Sequence, residues 1–163
     1  MSVDSADFRR ALGQFASGVT VVTTLDKDGG PLGLTVSSFC SVSLEPPLVL
    51  VCIDDRSETH DGFEASKVFG VSILTEGQEE WSDRFAFGGS EKFTGVDLLR
   101  GEQGVPLVPG ALAHIECRIE AALPGGDHTI YVGEVLRLSV APGRPLLYHA
   151  SGYHCLRSER PPE

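Results

Sequence analysis

The chain has 163 residues, of which 41% are hydrophobic and 22% are charged, a balance typical of one globular domain rather than of a disordered chain. Acidic residues outnumber basic ones by 23 to 13, which gives a net charge of −10. Because nucleic acids and anionic membranes bind proteins through basic patches, this charge argues against both as partners. The N-terminus shows no signal peptide and no apolar run is long enough to span a membrane, so we expect a cytoplasmic protein.

The four cysteines, Cys40, Cys52, Cys117 and Cys155, are widely scattered and form no CxxC pair. Neither their spacing nor that of the five histidines is typical of a zinc site, so we expect no metal centre. The simplest expectation is four reduced thiols, which is in keeping with a cytoplasmic location.

A helix and a β-hairpin are predicted at the N-terminal end of the chain. Residues 5–15 carry apolar side chains at helical spacing, and Asp4 or Ser5 can cap this helix. The apolar face of the helix comprises Phe8, Ala11, Leu12 and Phe15. Residues 19–25 and 32–38 read as strands, and the Gly- and Asp-rich turn between them predicts a hairpin.

The middle of the chain predicts two strands and two helices, followed by a long loop. The continuous apolar run over 48–53 is typical of a strand that is buried on both faces. A short helix over 59–66, a strand over 68–74 and a helix over 78–87 follow it. Residues 88–110 are rich in Gly and Pro and predict a long loop, a feature that is often functional in a compact domain.

Two long strands dominate the C-terminal third of the chain. The odd positions of 111–123 are apolar or small, and the even positions of 130–140 carry the same pattern. Two short strands over 145–149 and 153–156 complete a count of seven or eight strands against two or three short helices. The chain therefore predicts a mainly β protein, an antiparallel barrel over residues 1–156, with a disordered tail over 157–163.

Two polar segments follow predicted strands and are candidate binding sites. Residues 35–43 are dense in Ser and Thr, whose hydroxyls can meet the edge of a heteroaromatic ring, although a polar strand edge is the alternative. In the next segment, Arg56, Ser57 and Thr59 can hold a phosphate together with the N–H groups that begin a helix. A capped helix with a solvated arginine is the alternative interpretation.

The turn between the two long strands is a third candidate site. Its consecutive glycines, Gly125 and Gly126, let the backbone approach a ligand closely. His128 can bond to or stack on a flat ring, with Asp127 fixing its orientation. A hairpin turn with polar tips is the alternative.

Together these segments resemble the flavin reductase-like family, the short-chain flavin reductases that serve two-component monooxygenases. The resemblance covers about residues 8–156, nearly the whole chain. It is carried by the order of FASGVTVVT at 15–23, GLTVSSF at 33–39, SVS at 41–43, PPL at 46–48, SET at 57–59, GDH at 126–128, PLLY at 145–148 and GY at 152–153.

This resemblance implies an FMN-binding split barrel with a few short helices that forms a homodimer. It implies an NAD(P)H:flavin oxidoreductase that uses NADH or NADPH to reduce FMN, or FAD, and supplies the reduced flavin to a partner monooxygenase. Hydride passes from nicotinamide C4 to flavin N5, so the protein needs no nucleophile of its own. Backbone N–H groups over 36–39 are expected to stabilise the reduced flavin.

The same resemblance assigns expected roles to individual residues. Those lining the isoalloxazine ring are Thr35, Val36, Ser37 and Ser38; those at the ribityl-phosphate end are Cys52, Ile53, Ser57 and Thr59; further cofactor contacts are Phe85, Lys92 and Tyr153. On the nicotinamide side lie Gly126, Asp127 and His128, of which His128 is the expected catalytic residue. Two departures stand out: the family often has Asn at the position of Ser37, and Asp54 and Asp55 lie beside the expected phosphate.

Two alternatives stay open at this point. The same barrel can be a non-catalytic flavin- or haem-binding module. A related barrel is that of the pyridoxamine-phosphate oxidases, but their substrate needs a basic phosphate pocket and this chain has three lysines. The sequence leaves open the choices between FMN and FAD and between NADH and NADPH.

Overall fold

The structure is a computed structural model that describes residues 3–87 and 89–156. The tail predicted to be disordered, 157–163, lies outside the described residues. The helices are α1 (Ser5–Leu12), α2 (Glu58–Ser66) and α3 (Glu79–Phe87), with a 3-10 turn over Gly89–Glu91. The strands are β1 (Ser17–Gly18), β2 (Thr20–Leu25), β3 (Pro31–Val36), β4 (Cys40–Leu44), β5 (Pro47–Asp54), β6 (Val68–Ile73), β7 (Leu99–Arg100), β8 (Pro106–Leu107), β9 (Ala113–Pro124), β10 (His128–Val140), β11 (Leu146–His149) and β12 (Gly152–Cys155).

Seven strands form one antiparallel sheet in the order β3-β2-β6-β9-β10-β5-β4. The predicted hairpin is its β2–β3 pair, which confirms that part of the sequence analysis. Across the gap between the β3 side and β5, Ser38 Oγ accepts a hydrogen bond from the Cys52 N–H at 3.2 Å and donates one to the Cys52 carbonyl at 3.1 Å. A mainly β, antiparallel split barrel is therefore confirmed.

The barrel interior contains an aromatic cluster to which helix α2 contributes Phe63, β6 contributes Phe69 and β10 contributes Tyr131. Phe63 of α2 lies with its ring centroid 5.4 Å from that of Phe69 and 4.7 Å from that of Tyr131, and all three side chains are fully buried. A second cluster packs Phe85 of α3 against Val21 and neighbouring apolar residues. These two clusters fix α2 and α3 on either side of strand β3, which is what forms the groove described below.

The structure corrects two expectations about burial. Strand β5 is not buried on both faces: Val49, Val51 and Ile53 are buried, while the residues between them are only half-buried. In β10 the even positions were expected inside, but Tyr131 and Gly133 are the buried residues. The odd positions also carry apolar side chains, and Tyr131 packs on Phe63 of α2 in the barrel interior. The register shift between Val132 and Gly133 adds a residue to β9, and the shift between Val135 and Arg137 adds one to β10.

Strand β9 follows the predicted alternation at Cys117, which is buried, but it also buries a carboxylate. Glu116 is 6% exposed, and its carboxylate accepts hydrogen bonds from the N–H groups of Glu102 at 3.0 Å and Gln103 at 2.6 Å. These N–H groups belong to the turn between β7 and β8. The segment predicted as a long loop is therefore partly ordered by a side chain from the main sheet.

The N-terminal helix begins as predicted, because the Asp4 carboxylate accepts hydrogen bonds from the N–H groups of Ala6 and Asp7. It ends at Leu12, three residues before the predicted end. None of its residues is buried, so its apolar face contacts nothing that covers it in the described part of the chain. No helix among the described residues is both long and apolar enough to cross a membrane.

Candidate functional site

A groove runs along strand β3, between helix α3 on one side and the start of helix α2 on the other. It consists of three adjoining cavities, and Ala86 of α3 lines all of them. We call them the lysine cavity (about 350 Å³, with Ser57, Thr59 and Lys92), the central cavity (about 540 Å³, with Thr35, Asp54 and Phe85) and the tyrosine cavity (about 330 Å³, with Ser37, Tyr148 and Tyr153). Cavities of this size are typical of small-molecule sites.

The lysine cavity combines a partly buried ammonium group with a helix N-terminus. Ser57 caps α2, and its Oγ accepts a hydrogen bond from the Thr59 N–H at 3.3 Å. Lys92 Nζ donates to the carbonyl of Gly33 at 3.1 Å, and burial lowers the pKa of Lys92, against the opposing effect of Glu58. Since helix N-termini and ammonium groups both attract anions, this end of the groove suits a phosphate.

The central cavity contains an arginine that is already paired. Arg56 donates from Nε to Asp54 Oδ1 at 3.1 Å and from Nη2 to Oδ2 at 2.8 Å, and this contact holds the pKa of Asp54 well below its usual range. The sequence predicted that the guanidinium group of Arg56 binds a phosphate, whereas in the structure it donates two hydrogen bonds to Asp54. Lys92 also lines the central cavity, and its ammonium group can bind a phosphate there.

The predicted Gly-Asp-His segment lies beside the central cavity without lining it. His128 is the register partner of Asp54 in the β10–β5 pair. Its Nδ1 lies 2.7 Å from Asp127 Oδ1, and the hydrogen bond and charge of His128 lower the pKa of Asp127. With Nδ1–H donated to this carboxylate, the neutral ring presents Nε2 as an acceptor.

The tyrosine cavity is bounded by strand β3, helix α3 and the β11–β12 hairpin. The Tyr153 hydroxyl lies 2.8 Å from Ser82 Oγ and 2.7 Å from Asp83 Oδ1. Burial, together with Asp83, raises the pKa of Tyr153, so the phenol stays protonated and can donate. The ring of Tyr148 meets that of Tyr153 edge to face, with centroids 5.6 Å apart. Thr35 Oγ1 donates to the Ser82 carbonyl, which ties β3 to α3.

The structure brings most of the predicted cofactor-binding residues into this groove. Those that line it are Thr35, Val36, Ser37, Ser57, Thr59, Phe85, Lys92 and Tyr153. Ser38 and Cys52 instead bond to each other at the junction of β3 and β5. Ile53 is fully buried in the barrel interior and does not line the groove. Gly126 and Asp127 form the β9–β10 turn with His128.

Of the groove wall that α3 forms, the sequence singled out Phe85 alone. Ser82, Asp83, Ala86 and Phe87 all line the tyrosine cavity. They are spaced i, i+1, i+4 and i+5, which places them on one face of a helix, so the predicted helix over 78–87 carried this signal. The β11–β12 hairpin adds a further unpredicted site residue, Ser151.

Comparisons with known proteins agree with this geometry. The family model described as "Flavin reductase like domain" matches residues 12–157. A reductase subunit of a flavin-dependent monooxygenase, HsaB of Rhodococcus jostii (strain RHA1), is 42% identical over 153 residues, covering 93% of this chain and 78% of the relative. The FMN reductase (NADH) SmoA of Agrobacterium fabrum is 45% identical over 150 residues, covering 92% of this chain and 85% of that protein.

Solved structures show the same likeness in three dimensions. The NADH:FAD oxidoreductase SgcE6 of Streptomyces globisporus C-1027, in complex with NAD and FAD fragments, has a TM-score of 0.90 at 40% identity, over 99% of each chain. The flavin reductase PheA2 in its native state has a TM-score of 0.86 at 39% identity, over 96% of this chain and 100% of that one. The family match and the curated relatives together confirm the resemblance inferred from the sequence: this chain belongs to the flavin reductase-like domain family.

Proposed function

We propose that this protein is an NADH-dependent flavin reductase that transfers hydride to FMN or FAD and supplies the reduced flavin to a partner monooxygenase. The observation that carries this proposal is the groove along β3, which joins an anion-binding end at Lys92 to the hydroxyl-bearing strand end at Thr35 and Ser37. Relatives of this chain are named an FMN reductase (NADH), an NADH-dependent FAD reductase and a monooxygenase reductase subunit.

The lysine cavity holds the flavin phosphate in this proposal. Lys92, Ser57 and Thr59 supply an ammonium group, two hydroxyls and the first N–H groups of α2, a donor set that matches a phosphate. The fit is supported by the partial burial of Lys92, whose charge is poorly solvated unless an anion accompanies it. In a chain of net charge −10, this local arrangement is what makes a phosphate site feasible.

Strand β3 and the turn after it hold the flavin ring. The side chains of Thr35, Val36 and Ser37 line the groove there, and backbone N–H groups over 36–39 bind the edge of the ring that gains negative charge. Ser38 and Cys52 fix the β3–β5 junction beside them, and Ile53 packs in the barrel interior beneath it. The flavin accepts hydride from the nicotinamide when both are bound, so these residues need only bind and orient it.

His128 positions the nicotinamide in this account. Its bond to Asp127 fixes the ring, and the free Nε2 can accept a hydrogen bond from a carboxamide N–H. Asp54, Asp55 and Asp127 lie around it, and their negative charge opposes the 2′-phosphate of NADPH, which supports NADH as the donor.

A His128→Ala variant is expected to raise the KM for NADH by about tenfold, because the hydrogen bond from the nicotinamide carboxamide to His128 is lost. The effect on flavin binding should be smaller. Steady-state kinetics with NADH and flavin varied in turn measure the two effects. His154→Ala is the matched control, since His154 is exposed and lies outside the groove. Unchanged kinetics in His128→Ala would remove this residue from the site.

The working unit is a homodimer in this proposal. Phe8 and Leu12 on the apolar face of α1 are exposed by 57% and 55%, and Phe15, just after the helix, by 78%; a second copy is the partner that covers them. Strands from both ends of the chain, β2 and β10, share one sheet, so residues 1–156 act as a single domain. All four cysteines are free thiols, which supports a reducing, cytoplasmic location.

The proposed activity is tested by following NADH absorbance with FMN or FAD in air at catalytic amounts of protein. Many NADH molecules should be consumed per protein molecule, and Lys92→Met should raise the flavin KM by about tenfold or more. Lys27→Met, in the exposed β2–β3 turn, is the matched control. Flavin binding without NADH consumption would overturn the proposal and indicate a non-catalytic flavin-binding module.

A further inference from the structure

Asp55 is an acidic residue beside the expected phosphate that the flavin groove does not use. In the described part of the chain, none of the three cavities has Asp55 in its wall, and its side chain is 45% exposed. Strands β5 and β10 pair up to Asp54 and His128, and Asp55 is the first residue after the end of β5. This register places Asp55 beside the turn that carries His128.

Asp55 bonds to both chain neighbours of His128. Its backbone N–H donates a hydrogen bond to the carbonyl of Asp127 at 3.1 Å. Its carboxylate Oδ1 accepts one from the Thr129 hydroxyl at 2.8 Å. Successive side chains of a strand point to opposite faces, so a Thr129 that is held on one face directs the His128 ring to the other. The two bonds therefore fix the backbone on each side of the histidine.

A histidine of helix α2 keeps the Thr129 hydroxyl directed at Asp55. His60 Nε2 lies 3.1 Å from Thr129 Oγ1, and the His60 side chain is only 21% exposed. A hydroxyl has a single proton, which Thr129 donates to Asp55, so the Nε2–H of His60 is the donor to Thr129. This series of bonds connects the first turn of α2, which Ser57 caps, to the turn before β10.

We propose that Asp55 is a positioning residue for hydride transfer, which directs the His128 ring towards the nicotinamide through the Thr129 hydroxyl and the Asp127 carbonyl. This inference rests on the proposed function, in which His128 binds the carboxamide of NADH. Asp55 contacts neither ligand and acts only through the two flanking residues. Such positioning matters because hydride transfer requires the nicotinamide to lie at a near-attack distance from the flavin.

The charge of Asp55 allows positioning to be distinguished from electrostatics. NADH is an anion, so removal of a nearby carboxylate would by its charge alone tighten NADH binding and lower the KM. Loss of positioning acts in the opposite direction and raises the KM. The sign of the change in the KM for NADH therefore separates the two roles.

Steady-state kinetics of two Asp55 variants make this comparison. Asp55→Ala loses the acceptor for Thr129, so its KM for NADH should rise by about fivefold while kcat and the flavin KM change by less than about twofold. Asp55→Asn keeps an oxygen that accepts from Thr129 and loses only the charge, so its KM for NADH should not rise. Asp61→Ala, which removes a 98% exposed carboxylate from the solvent side of His60, is the matched control. A KM for NADH that is unchanged or lowered in Asp55→Ala overturns the proposal.

Thr129 variants test the same contact without a change of charge. Thr129→Val removes the hydroxyl and should raise the KM for NADH by about fivefold, whereas Thr129→Ser keeps the hydroxyl and should not. The Asp55→Ala, Thr129→Val double variant should be no worse than either single variant, because both remove the same hydrogen bond. Additive effects, or an equal rise in the flavin KM, overturn the positioning role.

The wild-type protein separates this inference from the proposed function. A wild-type protein that reduces no flavin would refute the proposed function and this inference together. Normal turnover, with a wild-type KM for NADH in both Asp55→Ala and Thr129→Val, would refute the inference alone.

Discussion

Lys92 is the residue through which pH should act on flavin binding. Burial lowers its pKa, so the ammonium group loses its proton at a lower pH than an ordinary lysine does. The positive charge is present below that pKa and is lost as the pH rises through it. Flavin affinity should therefore fall on the alkaline side, earlier than it would for an exposed lysine.

A Lys92→Arg variant separates this effect from general alkaline damage. The guanidinium group keeps its charge at every pH in which the protein is folded, so the decline in kcat/KM for flavin should move to higher pH. The check is a pH profile of kcat/KM for flavin from neutral to alkaline conditions, in both proteins. Superimposable profiles would show that Lys92 does not carry the phosphate.

Gly133 is a residue whose lack of a side chain the core requires. A Cβ there would lie 2.5 Å from the ring of Phe69 and 2.9 Å from Cys117 Cβ, in the packed barrel interior. Gly133→Ala should therefore lower the free energy of unfolding by about 1–3 kcal/mol. Gly18→Ala, where a Cβ meets nothing within 4 Å, should change it by less than about 0.5 kcal/mol. Denaturant unfolding of both variants is the measurement, and equal stabilities would contradict the packing described.

At the scale of elements, the start of helix α2 contributes both to stability and to the proposed phosphate site, in each case through Ser57. Ser57 caps the helix, and it also lines the lysine cavity. Ser57→Ala should cost about 0.5–2 kcal/mol of stability and also weaken flavin binding. Ser57→Asp keeps a good cap but places a negative charge beside the phosphate, so stability should be retained while flavin affinity falls by about tenfold or more.

Thermal unfolding and flavin titration of both Ser57 variants provide the comparison. In Ser57→Asp the melting temperature should stay close to that of the wild-type protein while flavin affinity falls. Flavin binding as tight in Ser57→Asp as in the wild-type protein would place the phosphate elsewhere.

The elements differ in how far the sequence could specify them. The β2–β3 hairpin and the Ser57 cap were predictable because turn and cap residues act over a few positions. The inward face of β10 was not, since both faces carry apolar residues and only packing against Phe63 of α2 selects the face of Tyr131. The burial of Glu116 was also hidden, because its partners, the N–H groups of Glu102 and Gln103, come from a separate loop.

The residues of the candidate site were also predictable only in part from the sequence. Local motifs and the resemblance predicted residues that the structure places in the groove, at Ser57 and Thr59 and at Thr35 and Ser37. The α3 wall was missed because Asp83 and Phe87 become site residues only when Phe85 packs the helix beside β3. The acidic Asp54 beside the expected phosphate was visible in the sequence, and the structure shows that its carboxylate accepts two hydrogen bonds from the Arg56 side chain.

At the scale of the whole molecule, the apolar face of α1 predicts association. A Phe8→Ser, Leu12→Ser double variant should shift the protein from dimer towards monomer, because the apolar area that drives association is lost. Sedimentation velocity over a range of concentrations measures this shift. Arg10→Ser, on the opposite face of the same helix, is the control and should stay dimeric. A wild-type protein that is monomeric at every concentration would contradict the dimer.

Anaerobic mixing of protein, NADH and excess flavin shows whether the groove along β3 binds a flavin and brings it to NADH. Flavin absorbance should be lost in proportion to the amount of protein, over many turnovers, and should return when oxygen is admitted. Lys92→Met should slow this loss by about tenfold or more at low flavin concentration. If flavin absorbance falls no faster than it does without protein, the groove does not bring flavin to NADH.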